Sequence, residues 1–177
     1  VLHGAAGIDG LTVTLRPAHL ADIFRLQEIE QAAAELFRGS PLIDVASMSV
    51  MSMGEHERSI DEGLSFVAVA DDSMVGFAMG EMQGRDAYLR ELDVVPGHQK
   101  RGIGAQLVKR FADTAKAKGA RAVYLSTFRT PPWNAPFYRK LGFRDVAHGD
   151  YLPWMTSIWQ QQATFLDMDT RVFMKLG

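Results

Sequence analysis

The sequence predicts an α/β domain in which short strands and amphipathic helices alternate around one sheet. Three observations predict it. Residues 88–95 have the apolar, β-branched character of a mostly buried strand, and they run through a glycine-containing loop into a helix. Residues 65–70 and 75–82 read as two antiparallel strands joined through Asp71, Asp72 and Ser73. The chain has 177 residues, 47% of them hydrophobic, which suffices for one sizeable core and suits one domain.

The other elements follow in order. Residues 1–10 are small and glycine-rich and are expected to fray, leaving 11–177 as the domain; the non-Met residue at position 1 fits a processed or cloned end. Residues 11–16 alternate as a first strand that stops at Pro17. Residues 18–37 are helical, with Ile23, Leu26, Ile29, Ala33 and Phe37 on one side, and Gly39, Ser40 and Pro41 break the helix. A second helix is expected within 51–62. The helix after the central strand carries Ile103, Leu107, Val108, Phe111, Ala112 and Ala115 on one face and ends at Gly119. Then come a buried strand at 122–126, a short helix at 134–140 stopped by Gly142, a sixth strand at 143–146 and a closing strand at 171–174. The stretch 148–164 carries Tyr151, Trp154 and Trp159 and receives no assignment.

The run Gln99, Lys100, Arg101, Gly102, Ile103, Gly104, Ala105 carries the most chemistry. Two glycines allow a sharp turn that gathers backbone N–H groups at the positive end of a helix dipole, beside two cations. An anion fits there, most simply a diphosphate. Two common nucleotide motifs fail. A P-loop needs Lys-Ser/Thr where Ile103 and Gly104 stand, and a dinucleotide fingerprint needs a small residue where Leu107 stands. The plainer reading is a glycine turn that starts a helix and binds nothing.

A second motif tips the balance. Taken with Gln99, Gly102 and Gly104, the later set Asn134, Ala135, Phe137, Tyr138, Gly142 and Phe143 resembles the GNAT superfamily of N-acetyltransferases, in the same order from about residue 12 to 176. The resemblance implies a mixed, mostly antiparallel sheet of six to seven strands flanked by helices, with the central strands splayed to admit a cofactor. It implies acetyl-CoA as that cofactor. The residues that would hold it are Val94, Val95, Gln99, Lys100, Arg101, Gly102, Ile103, Gly104, Ala105, Asn134, Phe137 and Tyr138. Tyr138 matches the tyrosine that protonates the leaving thiolate in many members; a phenol near pKa 10 is protonated at neutral pH. Glu91 stands where members often place a carboxylate that takes the amine proton through water, and Asp93 shares its strand parity. Read plainly, Val94 is a core valine, Tyr138 a packing aromatic, Asn134 a helix cap and Glu91 an exposed strand acid.

The acceptor implied is a small-molecule amine, with Phe37, Met51, Glu91, Tyr151 and Trp154 as candidate contacts; Met48 and Met53 would extend an adaptable apolar wall. A peptide or protein amine is the alternative, and a non-catalytic acyl-CoA sensor would need the loop but not Tyr138. The resemblance also admits a homodimer. The absence of cysteine removes disulfides, thiolate metal sites and a cysteine nucleophile, which makes transfer direct. His56, Glu57, Arg58, Ser59 and Ile60 begin like a zinc-protease helix but lack the second histidine; they read as a solvated helix, and no metal is expected. A formal charge of −2 argues against nucleic acid, and no apolar run reaches the length of a membrane span. With no secretory leader visible, a cytoplasmic location is the expectation.

Overall fold

The computed structural model describes residues 6–8, 11–47 and 49–177. Its strands are β1 (Ala6–Ile8), β2 (Leu11–Pro17), β3 (Ser65–Ala70), β4 (Ser73–Gln83), β5 (Asp86–Val94), β6 (Val123–Phe128), β7 (Arg144–Asp145) and β8 (Arg171–Leu176). They form one sheet in the order β1-β2-β3-β4-β5-β6-β8-β7. Every neighbouring pair is antiparallel except β5 and β6. The sheet therefore has eight strands, one beyond the upper end of the six to seven expected. The addition is β1, inside the segment expected to fray, which pairs with β2 from Ala6↔Val13 to Ile8↔Leu11. Met48 and the rest of 1–10 lie outside the described residues.

Helix α3 (Ile103–Ala117) and the short α4 (Ala135–Lys140) cover one face of the sheet. There Leu107, Val108, Phe111 and Ala115 pack with Phe66, Ala68, Leu89, Val123, Leu125 and Met174 in the largest apolar cluster. The opposite face carries α1 (Ile23–Ala33), α2 (Met53–Asp61) and α5 (Pro153–Gln162). The predicted helix over 18–37 is α only from Ile23 to Ala33, with 3-10 turns at Leu20–Asp22 and Ala34–Phe37. Helix α5 fills the unassigned stretch; it starts at Pro153, where a missing N–H costs no bond. Helix α2 is less solvated than its sequence suggests. His56 is fully buried against Phe77 (ring centroids 5.7 Å apart), and the Ser59 hydroxyl accepts from the Gly80 N–H at 3.1 Å.

Two irregularities position the site. First, β5 runs beside β4 along its length but meets β6 at only two positions, Ala87↔Val123 and Tyr88↔Tyr124. Beyond Tyr88 the central strands part, leaving one edge of β5 without a ladder. Second, the β4–β5 register slips: Gly80 opposes Leu89, Met79 opposes Glu91, and Arg90 is the extra residue of a bulge. Because side chains alternate faces, one inserted residue reverses the parity that follows. Leu89 before the bulge and Leu92 and Val94 after it pack toward α3, so Glu91 and Asp93 turn to the α1 face. Gly80 permits the bulge, since a Cβ there would collide with the Tyr88 carbonyl oxygen and the Phe111 ring.

Candidate active site

The loop from β5 to α3 is held from within. The Gln99 side-chain amide donates to the Val94 carbonyl at 2.8 Å, and the His98 N–H donates to the Val95 carbonyl at 3.1 Å. Gln99 thus fastens the loop to the end of the strand. Lys100 (φ +60°) and Gly102 (φ +76°) both occupy the left-handed region, which turns the chain into the helix. Gly102 brings no capping side chain. The first helical backbone bond is Gln106 N–H to the Gly102 carbonyl, 3.1 Å, so the amides of Ile103, Gly104 and Ala105 precede the helical ladder. Exposed Lys100, Arg101 and Gly102 surround them. The N–H groups of a strand alternate sides. Because the Val95 N–H turns to the Val75 carbonyl at 2.9 Å, the Val94 N–H faces the parted edge.

Across the gap, Asn134 occupies the N-cap position of α4, but its side chain makes no cap. Its Nδ2 donates to Thr127 Oγ1 at 2.9 Å, while Oδ1 is buried without a partner. An orphaned buried acceptor is costly, which makes it a ready contact for an amide-bearing ligand. Phe137 and Tyr138 follow, their rings 5.0 Å apart. Tyr138 is buried; burial first, then the charges of Glu91 and Asp93, raise its phenol far above the usual tyrosine range. It therefore stays protonated.

The bulge turns Glu91 and Asp93 toward Glu30 of α1. Burial pushes Asp93 well above the usual carboxylate range, and Glu91 and Glu30 push it further. Asp93 Oδ2 is buried with no hydrogen-bond partner. Burial also raises Glu91, opposed chiefly by Arg171. Glu30, buried and lifted to about 8 by desolvation and then by Glu91, accepts the Met51 N–H at 2.9 and 3.1 Å. All three carboxyls thus sit above the ordinary carboxylate range, Glu30 at about 8. Among the described residues, no group of three or more His, Cys, Asp or Glu could hold a metal ion.

The structure gathers only part of the acceptor set. Met51 packs beside Val67, Phe77 and Met79, its backbone tied to α1 by Glu30 and by Gln27 Nε2 at 2.8 Å. Phe37 reaches Phe128 (5.4 Å) and Trp133 (5.9 Å), so the α1–α2 connection touches the β6–α4 loop. Tyr151 and Trp154 belong to the aromatic cluster that seats α5, with Trp154 against Tyr88 where the β5–β6 ladder ends. Trp154 packs against Tyr88 (tilted) and Tyr124 (edge-to-face), ring centroids 5.5 Å from each, and the Tyr151 ring centroid lies 5.0 Å from that of Phe173. Sequence reasoning missed Glu30 and Arg171. Glu30 lies one turn after Leu26 on the buried stripe of α1, an unusual place for a lone acid. Arg171 opens β8 on the Phe173 face, where a cation is equally out of place.

A model of the acetyltransferase (GNAT) family matches residues 26–143, which include the β5–α3 loop, Glu91, Asn134 and Tyr138. The chain belongs to the GNAT acetyltransferase family. Among individual GNAT relatives, it is 33% identical to streptothricin acetyltransferase of Streptomyces lavendulae over 120 residues, 63% of this chain and 62% of that protein. It is 28% identical to the ribosomal protein bS18 alanine N-acetyltransferase of Salmonella typhimurium over 83 residues, 47% of this chain and 56% of the other. The matches thus span about three fifths of the length of these relatives. The GNAT fold is matched more completely by the PaiA N-acetyltransferase of Thermoplasma acidophilum, solved with coenzyme A. The TM-score is 0.67 at 19% identity, covering 92% of this chain and 97% of that one. Among the described residues, no helix is long and apolar enough to cross a membrane.

Proposed function

We propose that the protein is an acetyl-CoA-dependent N-acetyltransferase that passes the acetyl group directly to the primary amine of a small molecule. The single observation that carries this is the parting of β5 and β6 beyond Tyr88, beside which Tyr138, Glu91 and Asp93 lie near enough to feel one another's charge. The residues present fit the cofactor. Unladdered amides at 103–105 suit a diphosphate, the open edge of β5 and the orphaned Asn134 Oδ1 suit an amide-bearing arm, and no covalent anchor is needed. When bound, acetyl-CoA would supply a thioester carbonyl open to attack.

The chain's residues then align and exchange protons. Holding both reactants replaces a bimolecular encounter, which can supply most of the acceleration. The Val94 N–H, facing the gap, is the donor positioned to polarise a carbonyl there. Glu91, with Asp93 behind it, accepts the proton that the amine must shed. Tyr138 delivers one to the departing sulfur. The two transfers help each other: burial chiefly, and then negative charge on Glu91 and Asp93, raise the Tyr138 phenol, so a proton arriving on either carboxylate makes the phenol a better acid.

The test is release of free coenzyme A from acetyl-CoA across a panel of amines. Amine-dependent release with appearance of the N-acetyl product is expected. Tight coenzyme A binding with no release for any amine would overturn the reading in favour of an acyl-CoA sensor.

A further inference from the structure

Resting on that reading of the site, we propose that the acceptor amine carries a carboxylate, bound by Arg171 with help from Gln162. A guanidinium has five N–H donors. Arg171 is only 8% exposed, yet among the described residues its side chain has one acceptor, the Ser126 hydroxyl 3.1 Å from Nη2, and Nε is buried with none. No carboxylate of the described residues forms an ion pair with it. Glu91 lies near enough to feel its charge but does not pair with it. A buried cation left without an anion is costly, and a ligand carboxylate would relieve that cost.

The surroundings suit such a group. Arg171 lies over the Phe128 ring, 4.5 Å from its centroid, and Phe128 touches Phe37 of the α1–α2 connection. Ser126 donates to Gln162 Oε1 at 2.9 Å, which leaves the Gln162 Nε2 amide as a further donor beside the guanidinium. Toward β5, Arg171 is felt by Glu91, Tyr88 and Tyr138. A bifunctional acceptor thus finds a cation and an amide donor at one end and the proton-accepting carboxylates at the other.

The test uses the intact protein saturated with coenzyme A and titrates two ladders of product-like probes. One ladder is N-acetylglycine, N-acetyl-β-alanine and N-acetyl-6-aminohexanoate; the other is the corresponding carboxamides. At least one acid should bind about tenfold or more tightly than its amide, and Arg171→Met should bring that ratio close to one. Acid and amide binding alike in the wild-type protein along the whole ladder would overturn the proposal, with no variant needed. An undiminished preference in folded Arg171→Met would do the same. Were no amine acetylated while the acids still outbound the amides, the catalytic reading would fail and the carboxylate site would stand.

Discussion

The two sides of the gap between β5 and β6 are built on different principles. On the cofactor side, recognition is the work of backbone, with amides lined up by one left-handed glycine and a loop fastened through Gln99 within a single stretch of chain. On the acceptor side, it is the work of side chains brought from α1, β5, α5 and β8, the charged ones among them desolvated at some electrostatic cost. A backbone site tolerates most changes of side chain but fails at its glycine. A side-chain site can change its ligand through single substitutions while the fold persists.

The sharpest way to break this contrast is Gly102→Val. A β-branched residue at φ +76° is strained, and a shifted loop would forfeit charge-assisted hydrogen bonds worth about 1.5–3 kcal/mol each. Coenzyme A affinity, read by calorimetry, should fall about a thousandfold; unchanged binding would move the cofactor site elsewhere. Tyr138→Phe tests the junction of the two halves. Its kcat should fall about a hundredfold, within the usual span for a general acid, while coenzyme A affinity holds within about twofold. An unaltered kcat would reduce Tyr138 to a packing aromatic.

The acceptor side should respond to pH where the cofactor side does not. Activity should rise with pH as the accepting carboxylates lose their protons. Glu30 raises Asp93, so Glu30→Gln should shift the rising limb of kcat/KM to lower pH. Stability carries the opposite sign. The Glu30 carboxyl is raised from 4.5 to about 8 by folding, so the folded state binds more protons in that window and stability falls as pH rises through it. Melting temperatures should drop from about pH 5 to 8 in the wild type, and less in Glu30→Gln. The smallest effect is expected from Ser52→Ala. This removes a capping box closed by Glu55 beside the Met51–Glu30 link, at about 1 kcal/mol of stability with no change in coenzyme A affinity.

The same contrast governs what the sequence discloses. The β5–α3 loop is legible because glycines, strand and helix that make it are contiguous, and its motif names the residues in order. The acid cluster is only half legible. Glu91 stands in the chain as any strand acid would. What makes it special is a bulge at Arg90, allowed by Gly80 on the neighbouring strand, and no local pattern in β5 reveals it. Glu30 and Arg171 escaped for a related reason. Each interrupts an apolar face, and their meaning depends on which element packs opposite. The aromatic run of α5 is ambiguous in sequence: Tyr151 and Trp154 have the chemistry of a ligand wall, and in the fold they pack around Phe173 to seat the helix. The solvated reading of α2 failed because Phe77 and Gly80, far along the chain, receive His56 and Ser59.

A structure of the protein with coenzyme A tests the central claim most directly. The diphosphate is expected against the amides of residues 103–105, with the pantetheine arm between β5 and β6 and within reach of Asn134 Oδ1. Coenzyme A bound away from Gly102, or a gap closed by Phe137 and Tyr138 with the ligand present, would contradict the account.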